Sequence, residues 1–397
     1  MSLPNVNIKL GNGNIGVVTL SDDGISGLIL TGNEVGETLV LNKVYVLSSS
    51  SDLKKLGVTK ENNPLVYKDV NAYYATAGDG AELHLLVVSE ATTLTAMCSS
   101  EAGSPLKKLI DSAAGRIRMV GINRNPPADY SPTIQKCIDE DVVTAIGAAQ
   151  QVAESYMERI APFVVFVPAI AWSGSTENIY QPREGSQNCV GVVLASDGKF
   201  GESKLYSAAI GQVLGRAATC AVNISVGRVK DGSIASAGYL TNGKSPEESY
   251  SLWNALHDAG YIFYRTYIGK NGYYLNDDAT AIATTDDYHR LCLIRVIQKA
   301  VVICYKTYID EILESVEIDH ETGKIPQPMC KYYEQLLVRA VNTNMDGEIS
   351  GFTAFIDADQ NLIATGKLQV QAKIVPTALL KDINVDLSFD NPYNTNE

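Results

Sequence analysis

The chain has 397 residues, 45% of them hydrophobic and 19% charged, and carries a formal net charge of −13. That length accommodates two domains, each with its own core, and the composition is too apolar for disorder. A surface this acidic repels polyanions, the opening Met1-Ser-Leu-Pro lacks the basic start of a signal peptide, and no apolar run reaches the ~18 residues of a membrane span; neither a nucleic-acid nor a membrane partner is expected.

Near the start, Val6, Ile8 and Leu10 alternate with polar residues and so share one face of an extended strand, and glycines at 11, 13 and 16 argue against a following helix. Gly27–Gly32 and Asn42–Ser48 read as short strands. Ser51–Gly57 reads as a short helix with a serine cap and a glycine stop, and Asp69–Ala77 as a helix capped by its aspartate. Ala81–Ser89 is the next strand.

From about residue 105 helices and strands alternate. Leu106–Ala114 is helical and Arg116–Ile122 extended, and a long helix places Ile138, Val142, Ile146, Ala149, Val152, Tyr156 and Ile160 along one side. Phe163–Val167 and Cys189–Ala195 are unbroken apolar runs, as strands covered on both faces would be. Leu205–Ala218 is a helix whose Ala208, Ala209, Gly211 and Gly215 allow close packing. This alternation predicts a largely parallel sheet with helices on its faces.

The polar, glycine-rich stretch from Lys230 to Glu248 is the expected boundary. Beyond it Tyr250–Ala259 is helical, Gly260–Tyr267 extended, and the longest helix runs from about Asp286 to Ser315. Gly366–Val375 and the alternating Ile383–Phe389 are strand-like, so both chain ends read as extended strands. The seven cysteines are scattered without a C-x-x-C and read as reduced core residues; the four histidines give no zinc spacing.

Two glycine motifs invite a phosphate-binding reading. Gly238-Tyr-Leu-Thr-Asn-Gly243-Lys244-Ser245 matches G-x-x-x-x-G-K-[ST], but a polar turn precedes it where a buried strand should deliver it. Gly11-Asn-Gly13-Asn-Ile-Gly16 matches G-x-G-x-x-G, yet β-branched residues follow it rather than a helix. Asn342-Thr-Asn344-Met-Asp346-Gly347 starts like a calcium loop, but Thr353 stands where a bidentate glutamate belongs. Asp277, Asp278, Asp286 and Asp287 are expected in solvated turns and the cap of the long helix, and Tyr264, Tyr267, Tyr273 and Tyr274 at a subunit interface. No cofactor, metal or catalytic residue is expected.

In order along the chain, these pieces resemble the contractile phage tail sheath family, in its divergent prophage-type branch. The resemblance is carried by Ile25–Gly32, by Asn42–Gly57 ending in Leu-Lys-Lys-Leu-Gly, by Val70–Gly78 and by Ala81–Val88. In the C-terminal part it is carried by Ala259–Thr266, by Asp287-Tyr-His-Arg290-Leu-Cys-Leu-Ile-Arg295, and by the strands around Val370 and Val385. It implies a mixed α/β (α+β) fold with a discontinuous assembly domain, an inserted α/β domain and extended terminal arms. The parts are residues 1–24 as N-terminal arm, 25–249 as outer α/β domain and 250–397 as C-terminal assembly domain.

It further implies a non-enzymatic structural subunit that polymerises around an inner tube and contracts to drive injection. Its partners would be copies of itself, a tail tube protein and a baseplate, in a virion tail made in the bacterial host cytoplasm. The strands expected to pass between copies are Asn5, Val6, Asn7, Ile8, Lys9 and Leu10 at one end and Ile383, Asn384, Val385, Asp386 and Leu387 at the other. The alternatives are a nucleotide-binding α/β enzyme using Gly243, Lys244 and Ser245, and a structural protein that does not contract.

Overall fold

A computed structural model describes residues 22–201 and 203–390. The N-terminal strand expected at Asn5–Leu10 and the glycine motif at 11–16 lie outside the described residues.

Seven strands form the main sheet. Its centre is β1 (Ser26–Gly32), flanked on one side by β3 (Leu83–Ser89) and then by the antiparallel edge strand β2 (Val44–Leu47). On the other side follow β4 (Met119–Asn123), β5 (Val164–Pro168), β6 (Val190–Val193) and, past three further short strands, Tyr261–Ile262. All pairs except β2–β3 are parallel. Every residue of β1, β4, β5 and β6 is buried, which is why these segments are unbroken apolar runs rather than alternating ones.

Helices cover both faces. The helices α1 (Pro64–Ala77) and α4 (Ile210–Thr219) pack along each other on one face; α2 (Pro105–Ser112) and α3 (Glu140–Met157) lie on the other. Two glycines make this possible at close range. A Cβ on Gly27 would stand 2.6 Å from Leu109 of α2, and one on Gly121 would stand 2.6 Å from Ile210 of α4. The small-residue stripe read in the sequence sits at the α1–α4 contact, where Gly211 and Gly215 face the backbone of Asp69 and Tyr73.

Beside the sheet lies a three-stranded antiparallel sheet of β7 (Ala195–Gly198), β8 (Ser207–Ala208) and β9 (Tyr239–Leu240). The strand expected over Gly260–Tyr267 divides at Phe263. Tyr261–Ile262, here β10, joins β6 in the main sheet, while Tyr264–Arg265 pairs with Tyr274–Leu275. The break is held by Asn276, whose side-chain oxygen accepts from the Phe263 N–H at 2.8 Å while its own N–H donates to the Phe263 carbonyl. The main sheet thus takes its last strand from beyond residue 250. Tyr264 and Tyr274 are buried, so they belong to the interior of the subunit rather than to a surface between subunits.

The long helix α6 (Leu291–Tyr308) leaves this core. Its first turns, at Leu291 and Ile294, belong to the main core; Val296 and Ala300 belong to a second cluster with Leu337, Val341 and Phe352. That cluster is built on α7 (Gln327–Asn344) and a two-stranded antiparallel hairpin of β11 (Ile349–Phe355) and β12 (Gln371–Pro376). Residues 342–344 of the calcium-like motif lie in the last turn of α7, which removes them from any ligand loop. All seven cysteines are free thiols.

Candidate assembly interface

The hairpin β11–β12 is a two-stranded sheet, and among the described residues each strand keeps one edge unpaired. Its register sets Phe352 opposite Ile374 and Ala354 opposite Ala372. On the long strand β11, Phe352 is buried while Thr353 and Phe355 are exposed, as period-2 alternation requires of a sheet with one covered face. The opposite face carries Thr353 paired with Lys373 and Phe355 paired with Gln371.

Between the hairpin and α6 runs a groove of about 550 Å³. Ile297, Val301 and Tyr305 line it from the helix, and Phe352, Ala372 and Ile374 from the hairpin. At its mouth Tyr305 is 47% exposed, Ile309 44% and Ile312 64%. Side chains of this size left in water on adjoining turns form an apolar patch of the kind that marks an association surface.

The chain leaves β12 toward the C-terminus as a segment without helix or strand. Two contacts hold its root: the Asn223 side-chain amide donates to Thr377 Oγ1 at 3.2 Å, and Lys381 Nζ lies 2.9 Å from Asp277 Oδ2. Past that point Ile383, Val385, Leu387 and Phe389 alternate with polar residues, and each is at least 76% exposed. Asn384 and Asp386, the polar members of the expected inter-subunit strand, are exposed as well. In an extended chain the four apolar side chains fall on one face.

The glycine-lysine-serine motif forms a tight turn. The Gly243 N–H donates to the Leu240 carbonyl at 2.8 Å and the Leu240 N–H to the Lys244 carbonyl at 2.9 Å. Gly243 has φ +86°, and a Cβ there would meet the Tyr206 ring at 2.3 Å. The Ser245 N–H, which would face phosphate in a nucleotide site, donates to the Glu248 carboxylate at 2.8 Å. Only a short 3-10 turn, Glu247–Leu252, follows. With a fixed anion on its amide and an aromatic ring in its cradle, this loop is not a phosphate-binding loop.

The acidic doublets divide. Asp286 accepts from the Tyr288 N–H in a turn, but Asp277 and Asp278 are buried rather than solvated. Arg290 donates through Nε to Asp278 at 2.9 Å and through Nη2 to Asp277 at 2.5 Å and Asp278 at 2.6 Å. Asp278 also accepts from the Cys292 N–H at 3.0 Å, so it supplies the N-terminal cap of α6 from outside the helix. Burial pushes the Asp277 carboxyl up, but the Arg290 and Lys381 charges and the hydrogen bonds from Asp278 and Lys381 outweigh it and hold the group well below the usual carboxylate range. The Arg290–Asp277 pairing and the groove were not read from the sequence; only the spacing of Cys330, Tyr333, Leu337 and Val341, on one side of α7, announced a helix to form the second cluster.

Comparison with known proteins agrees with this division. The DUF2586 N-terminal domain matches residues 3–279 and the DUF2586 C-terminal domain residues 287–394. No curated protein matches the sequence. Among solved structures, the helical sheath of the anti-feeding prophage in its contracted state superposes with a TM-score of 0.62 at 14% identity, over 98% of this chain and 100% of that one. The contracted sheath complex of the extracellular contractile injection system PVC gives 0.51 at 13% identity, over 98% of both chains. The sheath tail protein from Desulfitobacterium hafniense gives 0.51 at 11% identity, over 94% of this chain and 100% of its own. The chain belongs to the DUF2586 family and has the mixed α and β fold of contractile sheath proteins.

Proposed function

We propose that this chain is the structural subunit of a contractile sheath, and that it acts by polymerising rather than by catalysis. The observation that carries the reading is the pairing of two incomplete surfaces on one molecule. One is a hairpin with two free edges above an apolar groove; the other is an extended arm with one apolar face and nothing of its own chain to cover it. An added strand satisfies the unpaired N–H and C=O groups of a sheet edge and fixes its register. An arm that leaves its own body completes a neighbour's sheet, and repetition of that contact with rotation gives an open helical assembly.

In this reading the strand of Ile383, Asn384, Val385, Asp386 and Leu387 passes to the next copy, as does the N-terminal strand at Asn5–Leu10. The resulting tube would enclose a tail tube protein and start from a baseplate, in a virion tail or an injection machine derived from one. Contraction would run downhill from a metastable extended lattice while the exchanged strands keep the mesh joined.

The test is negative-stain electron microscopy of concentrated protein with and without residues 382–397. The full chain should form tubes, and the truncated chain should remain folded, with an unchanged melting temperature, yet form none. Tubes of equal length and number from both proteins would reject the reading.

A further inference from the structure

The root of the C-terminal arm sits on a charge cluster that is incomplete without it. Asp277 and Asp278 are buried with one guanidinium, that of Arg290, between them. Two carboxylates and one cation leave a single negative charge uncompensated, and it falls on Asp277 Oδ2, the oxygen that Arg290 does not reach. Lys381 supplies the missing charge at 2.9 Å. The His257 ring is the other group nearby, with Nε2 at 3.9 Å, and burial lowers its affinity for a proton.

The two partners differ in how firmly they are held. Asp277 is fixed by Arg290, whose own side chain is 7% exposed, so the carboxylate stays in place whatever the arm does. Lys381 is 43% exposed on a flexible stem and its neighbours Leu379, Leu380 and Asp382 are exposed as well. An ion pair half open to water is screened by salt and breaks without unfolding anything. The next contact toward the body is that of Thr377 with Asn223.

We propose that the Lys381–Asp277 pair is a releasable latch that gives the C-terminal arm two working lengths. Closed, it frees the arm from residue 382 onward; open, it frees the arm from residue 378. The four residues let out, 378–381, add about 13 Å of reach at 3.3 Å per extended residue. The proposal rests on the sheath reading for its use: a link between copies must span different distances as a lattice compacts, and a latch of this kind adjusts the span without breaking the exchanged strand. Lys381 is therefore a positioning residue for the arm.

The latch is tested on the unassembled subunit, independently of tube formation. A nitroxide at Leu380→Cys reports motion beside the latch and one at Phe389→Cys reports motion beyond it, with the half-buried native thiols Cys137 and Cys304 replaced by serine. In 50 mM salt the label at 380 should be several-fold less mobile than that at 389. Lys381→Gln, or 0.5 M NaCl on the wild-type protein, should raise the mobility at 380 to that at 389, with the melting temperature unchanged. Asp277→Asn should do the same at 380. Pulsed distances between labels at Asn254→Cys and Phe389→Cys should extend by up to about 13 Å in Lys381→Gln. Equal mobility at 380 in wild type and Lys381→Gln, or unchanged distances, would overturn the latch. Absence of tubes from the full chain would instead strike the sheath reading and leave these spectra as they are.

Discussion

Gly211 lies so close to Asp69 that a Cβ on it would stand 2.2 Å from the Asp69 carbonyl oxygen. The helices α1 and α4 meet there backbone to backbone, and one turn later Gly215 repeats the contact at 2.6 Å from the Tyr73 carbonyl. Neither neighbour is the end of a flexible side chain that could swing aside. Gly211→Ala should therefore destabilise the subunit by about 1–3 kcal/mol or more, through overpacking of the helix pair. Gly147, inside α3 with nothing within 4 Å of its would-be Cβ, is the control: Gly147→Ala should gain roughly 0.5–1 kcal/mol from helix propensity. Urea denaturation of the two variants should move in opposite directions.

A second prediction concerns pH. Lys68 is enclosed with Asp69 and Asp197, each 2.8 Å away, and Asp69 also accepts from the Asn123 side chain and the Gly211 N–H. Burial would drive a proton off Lys68, but the two carboxylates reverse that and keep it charged. Burial pushes the Asp197 carboxyl up to about 6 against the pull of Lys68, and its Oδ2 has no hydrogen-bond partner. A carboxyl that binds its proton more tightly folded than unfolded stabilises most in its protonated form. Its contribution is lost as pH rises from about 4 through about 6. Relative to Asp197→Asn, which cannot titrate, the wild-type protein should lose on the order of 3 kcal/mol between pH 4 and pH 7. Urea midpoints at pH 4.5, 5.5 and 7 measure the difference, and parallel curves for the two proteins would remove Asp197 as the titrating group.

The Arg290 guanidinium is the one cation that both buried aspartates share. Arg290→Met leaves two carboxylates facing each other at the start of α6 and should cost about 3–5 kcal/mol, the penalty for stranding a buried charge. Arg290→Lys, which cannot make the forked contact, should fall between the two. Thermal melting orders the three proteins.

Assembly should be separable from folding. Leu387 is 93% exposed and Tyr305 47% exposed, so a charge at either position disturbs no core. Leu387→Asp on the arm and Tyr305→Asp in the groove should each abolish tubes while leaving the melting temperature within ~1–2 °C of wild type. A tube count by electron microscopy beside a melting curve checks both.

The parallel sheet was legible because strands covered on both faces lose their polar residues, as Phe163–Val167 and Cys189–Ala195 do. The close helix pair was legible from Gly211 and Gly215. Asp69 was misread as a cap because the helix begins five residues earlier, at Pro64. The aspartate sits in mid-helix and turns inward to meet Lys68 and Asn123. The pairing of Asp277 and Asp278 with Arg290 was hidden for a related reason. Adjacent acidic residues look solvated until a cation from another element is brought over them, and periodicity carries no sign of that. Ile383–Phe389 was legible as alternation, yet it forms no strand in the single chain, because a strand requires a partner edge.

The free margins of the β11–β12 hairpin have a consequence for fidelity. Backbone N–H and C=O groups are the same on every polypeptide, so an open edge by itself cannot tell one extended segment from another. Discrimination has to come from the side chains that flank it, Thr353, Phe355, Gln371 and Lys373, and from the groove beneath. A bacterium that produces two machines of this architecture at once would keep their components from co-assembling through this handful of positions. Exchanging them between two such proteins should exchange which arms each accepts.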